Sequence, residues 1–233
     1  MPTEAWTIHP IAHIHTEFSE KFGIPRQSGL AAAARGRIVF TPPYRDPNAL
    51  RGLEGYSHIW LIWQFSTIAE KQAAGNAPFS PTIRPPRLGG NARVGVFASR
   101  SPNRPNALGL SCVVLERIDP AGPDGPVLHV LGADLLDGTP IYDIKPYLPY
   151  ADSVPDAAGG FAAGAPQPLR VQCPPALLAR LPESSRAALL QVLACDPRPA
   201  YQNDPGRVYR MAFAGRTVCF TASGDTVTVV DVV

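Results

Sequence analysis

The sequence predicts a mainly-β body over residues 1–155, a linker over residues 156–168 and a small α+β domain over residues 169–233. Proline (27) and glycine (20) make up about a fifth of the 233 residues, which favours short strands and turns over long helices. Apolar runs rich in β-branched and aromatic residues, typical of strands, lie before Pro155. The segment DAAGGFAAGAPQP that follows has the composition of a flexible linker.

The first strands are predicted from alternation and apolar content. Residues 6–15 (WTIHPIAHIH) and 37–40 each indicate a short strand. Residues 53–65 (LEGYSHIWLIWQF) form a nearly continuous apolar run, as expected of a strand buried on both faces. Gln64 is polar at the end of that strand, and a hydrogen bond in a pocket is the one explanation for it. A polar, irregular stretch is expected over residues 67–80.

The remaining elements follow from the same patterns. Strands are predicted at residues 93–98, 110–118, 129–131 and 141–144. Between the last two lies DLLDGTP, which is either part of a ligand site or an ordinary Asp-Gly hairpin turn. Prolines keep residues 145–153 extended. In the C-terminal part, residues 174–195 are predicted to be helical with Ser184 or Ser185 as a candidate cap. Residues 207–213 and 216–233 are predicted to form strands around turns at Gly215 and Gly224.

Residues 82–110 carry an unusual concentration of positive charge. No Asp or Glu occurs between Gln72 and Leu115, while five arginines lie there: Arg84, Arg87, Arg93, Arg100 and Arg104. A guanidinium is always charged and binds phosphates or carboxylates through two donors, so this group is expected to bind an external anion. A solvated basic loop is the alternative. Since the net charge is only +2, nucleic-acid binding would depend on this local patch.

Several classes of protein are excluded by missing motifs. The sequence has no GxSxG, P-loop, HExxH or strand–GxGxxG–helix pattern. His13 and His15 share one face of the first strand without a third ligand at a suitable spacing, and the four cysteines form no CxxC, so no metal is expected. Widely spaced thiols, no signal peptide and no apolar run of membrane-spanning length predict a soluble, cytoplasmic protein without a membrane partner.

Long segments of the chain resemble the TsaA-like, or TrmO, family. They include GNARVGVFASRSPNRPNALGLSCVVL and DLLDGTPIYDIKPYLPYADS, together with FGIPRQSGL, LRGLEGYSHIWLI and LACDPRPAY. The resemblance implies a small β-barrel methyltransferase domain and a homodimer. It implies S-adenosylmethionine as the cofactor, bound near the dimer interface. The implied reaction is N6-methylation of N6-threonylcarbamoyladenosine at tRNA position 37, next to the anticodon.

The same resemblance assigns cofactor-binding residues to this chain, although spacing alone leaves open whether they converge in space. Ser66 departs from the family, where a histidine often stands, and Asn103, Ala107 and Leu108 replace the usual Phe, Pro and Ile. The cofactor contacts that the resemblance implies are Pro25, Arg26, Gln27, Phe65, Ser66, Arg100, Leu110, Asp137, Gly138, Thr139 and Pro140.

The catalytic and RNA-binding roles are hypotheses at this point. Asp137 is the first candidate for accepting the N6 proton, with Asp134 and Tyr142 behind it; alternatively Asp137 holds the cofactor and no protein base is needed. The C-terminal domain would either grip the anticodon stem-loop or support the dimer or the barrel. The candidate RNA-binding residues are Arg84, Arg87, Arg93, Arg104, Arg198, Tyr201 and Arg210.

Two other functions are compatible with these residues. One is a non-catalytic RNA- or nucleotide-binding module, although a phosphate binder gains nothing from an acidic turn. The other is a methyltransferase for a different small substrate, because cofactor motifs do not specify the acceptor.

Overall fold

The computed structural model describes residues 7–75, 79–198 and 204–233. Its N-terminal part is a closed antiparallel barrel of six strands, in the order β1-β2-β7-β6-β3-β8. The barrel strands are β1 (Ala12–Thr16), β2 (Arg35–Phe40), β3 (His58–Gln64), β6 (Leu108–Asp119), β7 (Val127–Leu131) and β8 (Thr139–Pro146). Two further strands, β4 (Thr82–Ile83) and β5 (Val94–Gly95), pair with each other inside the arginine-rich segment. The prediction of a mainly-β protein with a small barrel is confirmed.

Strand β3, which lies within the apolar run of residues 53–65, is fully buried on only one of its two faces. Ile59, Leu61 and Trp63 point into the barrel and are buried, whereas Trp60 and Ile62 on the other face are only half-buried. The prediction of a strand buried on both faces is therefore wrong. Each strand of a small closed barrel has one interior and one exterior face, and here short surface segments cover the exterior in part.

Two helices occur where none was expected. Residues predicted to be irregular form α1 (Ser66–Ala73), whose sequence STIAEKQA contains good helix formers. Within the segment predicted to stay extended, α2 (Pro149–Asp152) makes one turn with proline at its first position, where a missing amide hydrogen costs nothing.

The DLLDGTP segment is not a hairpin turn. Strand β7 pairs with β2 and β6, whereas β8 pairs with β1 and β3. The segment between them therefore crosses one end of the barrel, and the hairpin interpretation is wrong.

The C-terminal part is a four-stranded sheet in the order β10-β11-β12-β9, with two helices. Its elements are β9 (Arg170–Gln172), α3 (Pro175–Leu178), α4 (Glu183–Ala194), β10 (Tyr209–Phe213), β11 (Arg216–Ser223) and β12 (Thr226–Val232). Pro182 precedes α4 and no side chain caps it, so the serine cap is not formed. Across the described ranges, no helix is long and apolar enough to cross a membrane.

The two parts of the chain share a hydrophobic core. Phe18, Ala31 and Ala34, which flank the loop before β2, are buried together with residues of α4 and the C-terminal sheet. Phe22 stacks against both Tyr209 and Phe220, with ring centroids 6.3 Å apart in each case. The loop over residues 17–34 is therefore held by the C-terminal domain as well as by the barrel.

Candidate functional site

A cavity of about 640 Å³ opens at one end of the barrel. Four segments form it: residues 21–27, the end of β3 with the start of α1, residues 99–110, and residues 134–139. The ends of neighbouring antiparallel strands meet here, since Gln64 lies opposite Leu108 and Trp63 opposite Ile141. The Pro-Arg-Gln loop, the arginine-rich segment and the acidic segment, which spacing could not place together, converge on this one cavity.

Eight of the predicted cofactor-binding residues line the cavity: Pro25, Arg26, Gln27, Phe65, Ser66, Arg100, Leu110 and Thr139. Arg100 donates a hydrogen bond to the side-chain oxygen of Gln27, which joins the first loop to the arginine-rich segment. Arg26 donates to the backbone oxygen of Arg198 over 3.4 Å. The loop that carries Pro25, Arg26 and Gln27 is therefore hydrogen-bonded to the arginine-rich segment through Gln27 and to the C-terminal part of the chain through Arg26.

Asp137, Gly138 and Pro140 do not line the cavity. The Asp137 carboxylate accepts a hydrogen bond from the backbone N–H of Thr16 at 3.0 Å and lies 3.3 Å from Nδ1 of His15. The Gly138 N–H donates to the oxygen of Ile14 at 2.9 Å. These residues fasten the crossing segment to β1 and thereby position Thr139 in the cavity.

Asp134 supplies a carboxyl group to the cavity, and among the described lining residues it is the only one to do so. The buried Ser111 hydroxyl donates to Asp134 Oδ1 at 2.6 Å, and Trp63 Nε1–H donates to the same hydroxyl oxygen at 3.0 Å. Burial raises the pKa of the Asp134 carboxyl, while the Ser111 hydrogen bond and the charge of Arg100 oppose that shift. The site therefore holds one carboxyl group whose orientation is set by a short chain of donors.

Tyr142 explains the polar residue at the end of β3. Its hydroxyl donates to Gln64 Oε1 at 2.8 Å, and Gln64 lines the cavity while Tyr142 does not. Burial raises the pKa of Tyr142, so the phenol keeps its proton and remains a donor. Sequence reasoning missed the Tyr142–Gln64 pair because β3 and β8 are far apart in the chain.

The five clustered arginines have no carboxylate partner within the part of the chain that the structure describes. Three of them use backbone or hydroxyl acceptors instead. Arg104 donates to the Ser99 oxygen at 2.7 Å and lies over the exposed ring of Phe97, 5.7 Å from its centroid. Arg87 donates to the Gly164 oxygen at 2.8 Å, and Arg93 to Thr82 Oγ1 at 3.0 Å. Their positive charges remain unneutralised.

The C-terminal candidates lie in different environments. Arg198 is only 9% exposed and forms a two-donor ion pair with Asp196, through bonds of 2.8 and 3.0 Å. Arg210 is exposed on β10. Tyr201 lies outside the described residues. Within the described ranges, no group of three or more histidine, cysteine or carboxylate side chains is arranged to hold a metal ion.

Comparison with known proteins gives matches along nearly the whole chain. The model of the tRNA-methyltransferase O N-terminal domain matches residues 13–153, and that of the TrmO C-terminal domain matches residues 166–233. A tRNA (adenine(37)-N6)-methyltransferase of Escherichia coli K12 is 42% identical over 209 residues, covering 85% of this chain and 86% of that protein. One of the same name from Eikenella corrodens is 52% identical over 166 residues, covering 71% and 90%. The crystal structure of TrmO from Pseudomonas aeruginosa matches with a TM-score of 0.77 and 37% identity, covering 99% of each chain.

Proposed function

The chain belongs to the tRNA-methyltransferase O family and methylates N6 of adenine 37 in tRNA with S-adenosylmethionine as donor, and we propose that the adenine it accepts already carries the N6-threonylcarbamoyl group. Two observations support this proposal: the cavity to which the three separate motifs contribute, and the exposed Arg84, Arg87 and Arg93, which have no carboxylate partner among the described residues. The cavity volume of about 640 Å³ falls within the range of small-molecule and cofactor sites.

The lining of the cavity suits the two halves of the cofactor. S-adenosylmethionine has a carboxylate, for which Arg26 and Arg100 are forked cationic partners, and an adenine ring, for which Phe65 and Leu110 are apolar contacts. Gln27 and Thr139 add hydrogen-bonding groups. Ser66 stands at the position of the family's frequent histidine and also lines the cavity, so a small hydroxyl replaces the imidazole there.

The modified adenine and the tRNA backbone both present anions to the arginine-rich segment. The threonyl group ends in a carboxylate, and a guanidinium binds a carboxylate or phosphate through two parallel hydrogen bonds. We assign Arg84, Arg87 and Arg93, which are exposed, to these anions. Arg104 is half-buried with its donors on loop carbonyls, so its role is to hold the loop at the cavity edge.

The C-terminal domain has a supporting role in this proposal. It shares a core with the loop that carries Pro25, Arg26 and Gln27. Arg198 is already paired with Asp196, which leaves Arg210 as the exposed C-terminal candidate for RNA contact.

We further infer a cytoplasmic homodimer. Leu110, which lines the cavity, and Phe97, which lies under Arg104, are 55% and 72% exposed, which is unusual for large apolar side chains and suits a surface covered by a second copy. The four free cysteines and a tRNA substrate suit a reducing compartment. Light scattering at micromolar concentration tests the dimer, and a monomer under those conditions contradicts it.

The deciding experiment is transfer of labelled methyl from S-adenosylmethionine to two matched tRNA substrates, with and without the threonylcarbamoyl group, followed by nucleoside mass spectrometry. We expect N6-methyl-threonylcarbamoyladenosine from the modified tRNA and little product from the unmodified one. Equal methyl transfer to both substrates would show that the enzyme does not require the threonylcarbamoyl group. No transfer to either, with cofactor bound, favours a non-catalytic module or a different small acceptor.

A further inference from the structure

Among the described residues that line the cavity, Asp134 is the only one with an acidic side chain. The reaction removes a proton from N6, so an acceptor near the transferred methyl group would assist it. We propose that Asp134 is the general base that takes this proton, and the proposal depends on the cavity being the methyl-transfer site of the function given above.

The surroundings of Asp134 suit a base that must be both oriented and reactive. The Ser111 hydroxyl donates to its Oδ1, and hydrogen bonding from the backbone of Ser28 and of Asp134 itself also lowers its pKa, so the carboxyl group is held in one orientation at the cavity wall. Burial raises its pKa, and a carboxylate of higher pKa is a stronger base. The other charged groups that line the cavity are all cationic, and the charge of Arg100 lowers the pKa of the Asp134 carboxyl; the lining cations are Lys21, Arg26, Arg100 and Arg104.

The step balances without any added reactant. The N6 lone pair attacks the methyl carbon, the carbon–sulfur bond breaks, and its electron pair remains on sulfur, which becomes a neutral thioether. The N6–H proton moves to the Asp134 carboxylate. Proton loss to solvent after product release restores the carboxylate.

The other two candidates are placed less well for this role. Asp137 is engaged with Thr16 and His15 and does not line the cavity. Tyr142 also lies outside the lining, with its hydroxyl directed at Gln64 and its pKa raised by burial. A phenol that holds its proton more tightly is a poorer base at neutral pH.

Ser111 and Trp63 act as positioning residues through Asp134. The Ser111 hydroxyl donates to the carboxylate and thereby lowers the pKa of Asp134. In the Ser111→Ala variant that pKa should rise, so the acid limb of the pH–rate profile should move to higher pH. A purely structural role for Ser111 would lower stability without moving the limb.

The test is single-turnover methylation of threonylcarbamoylated tRNA by Asp134→Asn, compared with the wild type across pH. We expect the rate to fall about 10²–10⁴-fold, the usual contribution of a general base, and the acid limb to disappear. The dissociation constant for S-adenosylmethionine, measured by calorimetry, should change by less than about threefold. Asp143→Asn is the matched control, because Asp143 lies outside the cavity in an exposed ion pair with Lys145.

Three results would overturn the assignment. If Asp134→Asn loses cofactor affinity in parallel with rate, Asp134 is a cofactor ligand. If the rate of Asp134→Asn is unchanged, Asp134 takes no part in the chemistry. A folded Asp137→Asn variant with the same loss of rate and the same loss of the acid limb gives the role to Asp137. Asp134→Glu keeps a carboxyl group and should react at least about tenfold faster than Asp134→Asn. Such a recovery would distinguish the loss of a base from misfolding. Failure of the wild type to methylate the modified tRNA would instead contradict the proposed substrate.

Discussion

Replacing Gly23 by alanine should destabilise the protein through a contact between the loop over residues 17–34 and the C-terminal sheet. Gly23 has φ of +97°, and a Cβ added there would lie 2.7 Å from Cγ of the fully buried Met211 and closer still to its sulfur. Backbone strain at such a φ costs about 1–3 kcal/mol, and overpacking costs about 1–3 kcal/mol more. The expected loss of unfolding free energy is therefore about 2–6 kcal/mol.

Gly29→Ala is the matched control in the same loop. Gly29 also has a positive φ, +78°, but a Cβ there would meet nothing within 4 Å. It should cost only the backbone strain, about 1–3 kcal/mol as at Gly23. The difference between the two variants therefore isolates the contact with Met211.

The assay is thermal unfolding combined with calorimetric titration of S-adenosylmethionine. For a chain of this size, each kcal/mol lowers Tm by about 2–4 °C, so Gly23→Ala should lower Tm by roughly 4–24 °C. Displacement of the loop should also raise the cofactor dissociation constant about tenfold. In a double-mutant cycle, Met211→Ala should recover about 1–3 kcal/mol of the cost of Gly23→Ala. Equal destabilisation by the Gly23 and Gly29 variants, or no coupling to Met211, would refute this packing.

Three further predictions address the shared core, the arginines and a buried acid. A protein ending at residue 168 should bind S-adenosylmethionine at least about tenfold more weakly by calorimetry, because the core around residues 18–34 is exposed; full affinity in that fragment contradicts the supporting role. Arg84→Ala should weaken tRNA binding and reduce the slope of log K against log salt concentration by about one, while leaving Tm unchanged. Arg104→Ala should weaken tRNA binding and also lower both Tm and cofactor affinity. Burial raises the pKa of Glu17, so the folded state binds its proton more tightly and the stability falls as pH rises from the unfolded pKa through the folded one. Glu17→Gln should therefore gain in Tm relative to the wild type across that window, and a constant difference at all pH values would count against it.

The fold could be predicted from local patterns in most places. The strands of the barrel were found because alternation and β-branched content are properties of neighbouring residues. The prediction failed at α1, where a polar sequence with good helix formers was interpreted as irregular, and at β9, which has only three residues. It left the DLLDGTP segment open between a ligand site and a hairpin, because a hairpin and a barrel crossing have the same local sequence and differ only in which strands pair.

The sequence likewise predicted part of the candidate site, and the structure was needed for the rest. The sequence motifs brought Arg26, Gln27 and Arg100 into consideration, and the cavity includes them all. Asp134 and Asp137 are three residues apart in one segment, and the sequence does not show which of the two carboxylates faces the cavity. In the structure Asp134 lines the cavity and accepts a hydrogen bond from Ser111, whereas Asp137 lies outside the lining and accepts one from the Thr16 N–H.

By itself, the sequence determined the strand-rich character of the protein, the unneutralised arginine segment and the family to which the chain belongs. These depend on residue type and spacing along the chain. Only the tertiary structure decided that the three motifs form one cavity, that Asp134 faces it, and that the C-terminal domain packs against the loop over residues 17–34. Those features arise from contacts between residues that are distant in the chain, such as Arg100 with Gln27 and Phe18 with Phe213. Such contacts exist only once the barrel has closed and the C-terminal sheet has packed against it.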